Sequence, residues 1–191
     1  MVKIRIIIAS TRPERKGPAV ASWIYDVAVK RWGTEVRLFD LAVINLPFLD
    51  EPQHPRLKEY TKEHTKKWSA MVDEAEAFII VTSEYNYGYP ASLKNALDFL
   101  YQEWNDKPVA FVSYGGLAGG TRAVQQLKQI VTAQKMIPVL EAVHIPFFTK
   151  YIDEHEKFKP DEHLSKSAED MLTSLIKWAN TLNTMRQAEN K

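Results

Sequence analysis

The chain has 191 residues, with 25 Lys and Arg against 24 Asp and Glu, and no cysteine. The near balance of charge excludes a strong field for nucleic acid or an anionic membrane. The missing cysteine excludes disulfides, Cys-ligated zinc, iron–sulfur clusters and a cysteine nucleophile. No apolar run approaches the ~18 residues of a membrane span, and Ile4–Ala9 is too short for the core of a signal peptide. The expectation is a soluble, cytoplasmic protein folded as one domain over 1–191.

Lys3–Ala9 is nearly continuous isoleucine, the mark of a strand buried on both faces. Val20–Trp32 carries Val20, Ala21, Ile24, Val27 and Ala28 at helical spacing, and Gly33 is expected to end that helix. Glu35–Phe39 alternates as a second strand. Asp40–Pro55, "DLAVINLPFLDEPQHP", reads as a long loop. Leu57–Ala75 reads as a charged helix with Leu57, Tyr60, His64, Trp68 and Met71 on one stripe. Ala77–Val81 is a third strand and Ala91–Tyr101 a helix with Leu93, Ala96, Leu97 and Leu100 inward. Pro108–Ser113 is a fourth strand, Thr121–Gln134 a helix and Val139–His144 a fifth strand. A polar excursion over Asp153–Lys166 precedes a last helix ending near Thr184. Five strand–helix alternations predict a three-layer α/β fold, a parallel sheet with helices on both faces. Right-handed crossovers favour the flavodoxin-like order 2-1-3-4-5.

In such folds a ligand sits beyond the carboxyl ends of the strands, where the order reverses between strands one and three. Three loops meet there. "ASTRPERKGP" offers Ser10, Thr11, Arg12, Arg15 and Lys16 ahead of a helix N-terminus, a set suited to a phosphate dianion; a solvated turn is the alternative. G-x-G-x-x-G and G-x-x-x-x-G-K-[ST] are both absent, which favours a single phosphate on a mononucleotide. "SEYNYGYP" places Tyr85, Tyr87 and Tyr89 at a strand end, where they can wall a planar ring or simply pack. "SYGGLAGG" brings glycine backbone amides to the same edge. His155 and His163 lack metal-ligand spacing, and no G-x-S-x-G elbow is present.

These residues resemble a known family. "IIIASTRPERKGPAVASWI", "LPFLDEPQHP", "FIIVTSEYNYGYPASLKNALDFL" and "PVAFVSYGGLAGGTRAVQQL" are similar to the NADPH-dependent FMN reductases, which include FMN-dependent quinone, azo-dye and chromate reductases. The resemblance covers about Lys3–Val143; Ala9 and Ser83 stand where the family pattern has Gly and Pro. It implies bound FMN, NADPH or NADH as hydride donor, small-molecule acceptors such as quinones or free flavin, and a homodimer or homotetramer. By resemblance Ser10, Arg12 and Arg15 hold the phosphate, and Glu84, Tyr85, Asn86 and Tyr87 lie along the flavin, largely through backbone groups. Ser113, Tyr114, Gly115 and Gly116 then line its pyrimidine edge. No side chain is singled out as catalytic and no metal is implied. Lys94, Asn95 and Asp98 read as helix start and scaffold. Trp104 and Ile145–Phe148 are expected at a subunit interface or in the core. An FMN-binding electron carrier or a redox-sensing binding protein is the alternative, although carriers are usually strongly acidic and this chain is not.

Overall fold

In a computed structural model describing residues 1–189, the isoleucine run forms β1 (Val2–Ile8), a strand with a neighbour on each side. It pairs in parallel with β2 (Thr34–Asp40) and β3 (Ala77–Ser83), and β3 pairs in parallel with β4 (Pro108–Tyr114). The fifth position holds two short strands, β5 (Ile137–Pro138) and β6 (Val143–Ile145), both parallel to β4. The order 2-1-3-4-5 expected from the alternation is the order observed. The single fifth strand expected over Val139–His144 is corrected. Val109 faces Pro138 and Val112 faces Val143, so five steps of the chain match three steps of β4 and two residues bulge out. Leu140 lies in that bulge, 83% exposed.

Side chains alternate across the strands and build a core on each face. Ile4, Ile6, Ile8, Ile79, Val81 and Val112 pack against α1 (Gly17–Ala28) and α6 (Glu162–Glu189). Ile7, Phe78, Ile80, Val109 and Phe111 pack under α3 (Glu63–Asp73), α4 (Ala91–Asp98) and α5 (Thr121–Ala133). Full burial of each such side chain is worth ~1.5–3 kcal/mol. A single turn, α2 (Leu41–Ile44), follows β2 directly; Asp40 caps it by accepting from the Ala42 amide.

Other boundaries move for local reasons. α1 stops at Ala28, leaving Trp32 98% exposed. Gly33, at φ +80°, does not end the helix; it turns the chain into β2, and its carbonyl accepts from the Val2 amide at 2.7 Å. The helix expected from Leu57 begins only at Glu63. Lys58 adopts φ +55°, which breaks the helical path, and Tyr60 turns in to donate to the buried Glu103 carboxylate at 3.0 Å. Trp104 is a core residue, packed edge-on to Phe78 at 5.0 Å and Trp68 at 6.0 Å. α6 continues beyond Thr184 to Glu189.

Candidate functional site

The loops after β1, β3 and β4 enclose a cleft of about 260 Å³ at the carboxyl edge of the sheet. Ser10, Arg12, Arg15, Glu84, Tyr85, Tyr114, Gly115 and Gly116 all line it, so the structure brings these expected residues together. Lys16, Ser83 and Phe148 line it as well. Phe148 was missed because its apolar run reads equally well as core. Asn86, Tyr87 and Ser113 do not line the cleft.

In the first loop Ser10 is fully buried, and its hydroxyl meets the Tyr85 hydroxyl at 2.5 Å. The Arg12 guanidinium is exposed, with no ion pair among the described residues. Arg15 is engaged: one terminal nitrogen donates to Asp40 Oδ2 at 2.5 Å. Its Nε is buried with no acceptor. The Lys16 ammonium reaches Glu156 at 2.6 Å. The first turn of α1 has Pro18 and no side-chain cap, so backbone donors and the positive end of the helix dipole remain available beside the cleft.

After β3 the chain makes a tight hairpin. Tyr85 and Gly88 exchange two backbone hydrogen bonds of 2.8 and 2.9 Å, with Asn86 and Tyr87 at the tip. The Glu84 carboxylate turns away to Arg122, at 2.9 Å from the guanidinium and 3.1 Å from the backbone amide. Ser83 Oγ is buried beside the Tyr114 phenol and makes no well-formed hydrogen bond. Tyr114 crosses the cleft floor, edge-on to Phe148 at 5.1 Å. Burial pushes its phenol up to about 12, so it remains a neutral hydroxyl. Gly17 lets it in, since a Cβ there would stand 2.9 Å from the Tyr114 hydroxyl.

The third loop is held from behind. Ser113 Oγ donates to the Gly119 carbonyl at 2.8 Å and meets His144 Nδ1 at 2.7 Å. Burial, with Lys128 adding to it, lowers the His144 pKa. Gly120 sits at φ +83°, and a Cβ there would lie 2.7 Å from Ser113 Cβ. Gly116 has open space where a Cβ would point.

Beside this cleft lies a second cavity of about 570 Å³, lined by Thr11, Leu41, Pro47, Phe48, Ser92 and Asn95 among others. Asn95 fastens its rim: it donates to the Pro47 carbonyl at 2.7 Å and accepts from the Leu49 amide at 3.0 Å. Lys94 and Asp98 form an ion pair one turn apart on α4. Among the described residues there is no cluster of side chains able to hold a metal ion, and no helix is long and apolar enough to cross a membrane.

Comparison with known proteins places this geometry in context. A family model described as NADPH-dependent FMN reductase matches residues 2–150. An NAD(P)H-dependent FMN reductase of Schizosaccharomyces pombe is 42% identical over 148 residues, 75% of this chain and 74% of the relative. An NAD(P)H:quinone oxidoreductase of Solanum tuberosum is 42% identical over 62 residues, 31% of this chain and 32% of the relative. Among solved structures, the flavoenzyme NAD(P)H:(acceptor) oxidoreductase of Paracoccus denitrificans superposes with a TM-score of 0.76 at 20% identity, over 95% of this chain and 98% of the other.

Proposed function

The chain belongs to the NADPH-dependent FMN reductase family, and from that premise we propose that the cleft at the ends of β1, β3 and β4 is its FMN site. The protein is an oxidoreductase that uses FMN and draws on NAD(P)H. The observation that carries the site assignment is the meeting of the three loops at one cleft that holds an exposed Arg12, unpaired among the described residues, and two buried polar atoms without a well-formed hydrogen bond, Ser83 Oγ and Arg15 Nε. Orphaned buried groups are costly and usually mark a place where a ligand or water completes the bonding. The residues fit a flavin mononucleotide. Arg12, the uncapped first turn of α1 and the Ser10 hydroxyl suit one phosphate; the Tyr85 hairpin and the open Gly116 backbone suit a flat ring and its polar edge.

FMN supplies the two-electron chemistry when bound. The chain's own residues bind the phosphate, wall one ring face and keep the buried face dry with Tyr114 and Phe148. Quinones and free flavin are the proposed acceptors, in keeping with the quinone oxidoreductase named among the relatives. A cytoplasmic location is proposed, and the need for NAD(P)H is in keeping with it. A homodimer or homotetramer is proposed on the exposed side chains beside the second cavity, Phe48 at 86% and Val43 at 80%. Protein purified with its chromophore should release FMN at ~1 per subunit, as for one switch-point site, and should oxidise NAD(P)H with a quinone in steady state. Release of FAD, or no uptake of added FMN, would overturn the assignment.

A further inference from the structure

The hairpin after β3 holds a conformation that its own residues disfavour. Asn86 and Tyr87 sit at φ +49° and +73°. Positive φ at both central residues is the type I′ pattern, which favours Asn followed by Gly. Asparagine tolerates the left-handed region; a tyrosine held there is strained, and such strain persists only where the surroundings over-determine it.

The surroundings that do so lie on the first turns of α5. The Arg122 guanidinium donates to Glu84 Oε1 at 2.9 Å, and its backbone amide donates to Glu84 Oε2 at 3.1 Å. Cζ of the same guanidinium lies over the Tyr87 ring, 4.1 Å from its centroid. One turn further on, Gln126 Nε2 donates to the Tyr87 carbonyl at 3.3 Å. Arg122 therefore grips the residue before the hairpin by two hydrogen bonds and the strained residue at the tip by a cation–π contact. The Glu84 side chain is 10% exposed and that of Arg122 44%, so the pair is solvated on the Arg122 side only. Arg122 itself does not line the cleft.

We propose that Arg122 is a positioning residue: it holds Glu84 and Tyr87 together so that the intervening backbone forms a rigid wall for the flavin ring. This rests on the cleft being the FMN site. A lysine would keep the charge and lose the planar stack, so it replaces only half of the grip.

Amide exchange in the apoprotein tests the clamp without any flavin. In Arg122→Ala the Tyr85 and Gly88 amides, which bond to each other's carbonyls, should exchange ~10-fold faster or more as the hairpin opens locally, while β3 and β4 amides keep their rates. Flavin affinity gives the second readout. Arg122→Ala should weaken FMN and riboflavin by the same factor, ~10-fold or more, because the hairpin meets the ring and not the phosphate. Arg122→Lys should fall between the two, and it carries the same test if the alanine variant does not fold. Tyr87→Gly turns the tip into Asn-Gly, which adopts this turn unaided. In that background Arg122→Ala should cost much less affinity than in the wild type. Unchanged exchange at Tyr85 and Gly88, or an equal loss in both backgrounds, overturns the proposal. Arg122-dependent exchange in a protein that takes up no FMN keeps the clamp and overturns the assignment of the cleft instead.

Discussion

Arg12 and Arg15 lie in one loop, three residues apart, and end in different electrostatic situations. Arg15 is neutralised by Asp40 at 2.5 Å, whereas Arg12 is exposed and unpaired among the described residues. Both were expected at a phosphate from the loop's composition. The composition does not reveal the pairing, because Asp40 is distant in sequence and arrives only through the parallel register that sets it opposite Ile8. Ser113 teaches the same lesson: β6 brings His144 opposite it, and its hydroxyl is spent on the loop behind the cleft. The free charge for a phosphate therefore falls mainly on Arg12. Arg12→Ala should weaken FMN binding by ~1.5–3 kcal/mol, the scale of a charged hydrogen bond, and riboflavin binding much less, as read by quenching of flavin fluorescence. Equal losses for both ligands would remove Arg12 from the phosphate site.

At the level of elements, most strands and helices were legible from their apolar period, and their ends were not. The stripe Leu57, Tyr60, His64, Trp68, Met71 extends back past the true start of α3, since periodicity carries no information about where the backbone is capped. The approach to the helix is anchored from elsewhere. Glu51, in the loop before, accepts from the Thr61 amide and hydroxyl through Oε2 and from the Lys62 amide through Oε1, each at 2.9 Å. Burial raises the Glu51 pKa, but these hydrogen bonds outweigh it and hold the carboxyl at about 2. A folded pKa below the ordinary carboxyl value of 4.5 means that the ionised group stabilises the fold above that pH. The contribution is then lost as the pH falls from there towards 2. Glu51→Gln should cost ~1 kcal/mol at neutral pH, the usual net worth of an intramolecular hydrogen bond. The gap between variant and wild type should narrow at pH 3, as measured by chemical denaturation at both values. A gap of equal size at both would show that the charge of Glu51 is not what anchors α3.

For the whole molecule, strand alternation and the handedness of crossovers leave few orders and favour 2-1-3-4-5, the one observed. The two-residue bulge in the fifth position falls where the charged Glu141 and the exposed Leu140 interrupt the apolar run, and a single strand over Val139–His144 passes over that break. That order has a functional consequence. It gathers the loops after β1, β3 and β4 at one edge, and the first of them separates the two cavities: Arg12 lines the smaller cleft and Thr11 the larger. At about 260 Å³ the cleft is below the ~300–1,000 Å³ of sites that enclose a drug-sized ligand. As the proposed FMN site, it would take the phosphate and one ring face and leave the other face open. Hydride transfer needs the reacting atoms within ~3–3.5 Å, so both the nicotinamide and the acceptor must use that open face. The larger cavity, rimmed by the loop that Asn95 fastens, lies on the other side of the β1 loop and would offer that shared space. Two substrates that need the same space cannot be bound together. Double-reciprocal plots of NAD(P)H oxidation should therefore stay parallel as a quinone acceptor is varied, and each substrate at high concentration should compete with the other. Lines that intersect, or a trapped complex holding nicotinamide and quinone on one subunit, would rule out a single open face.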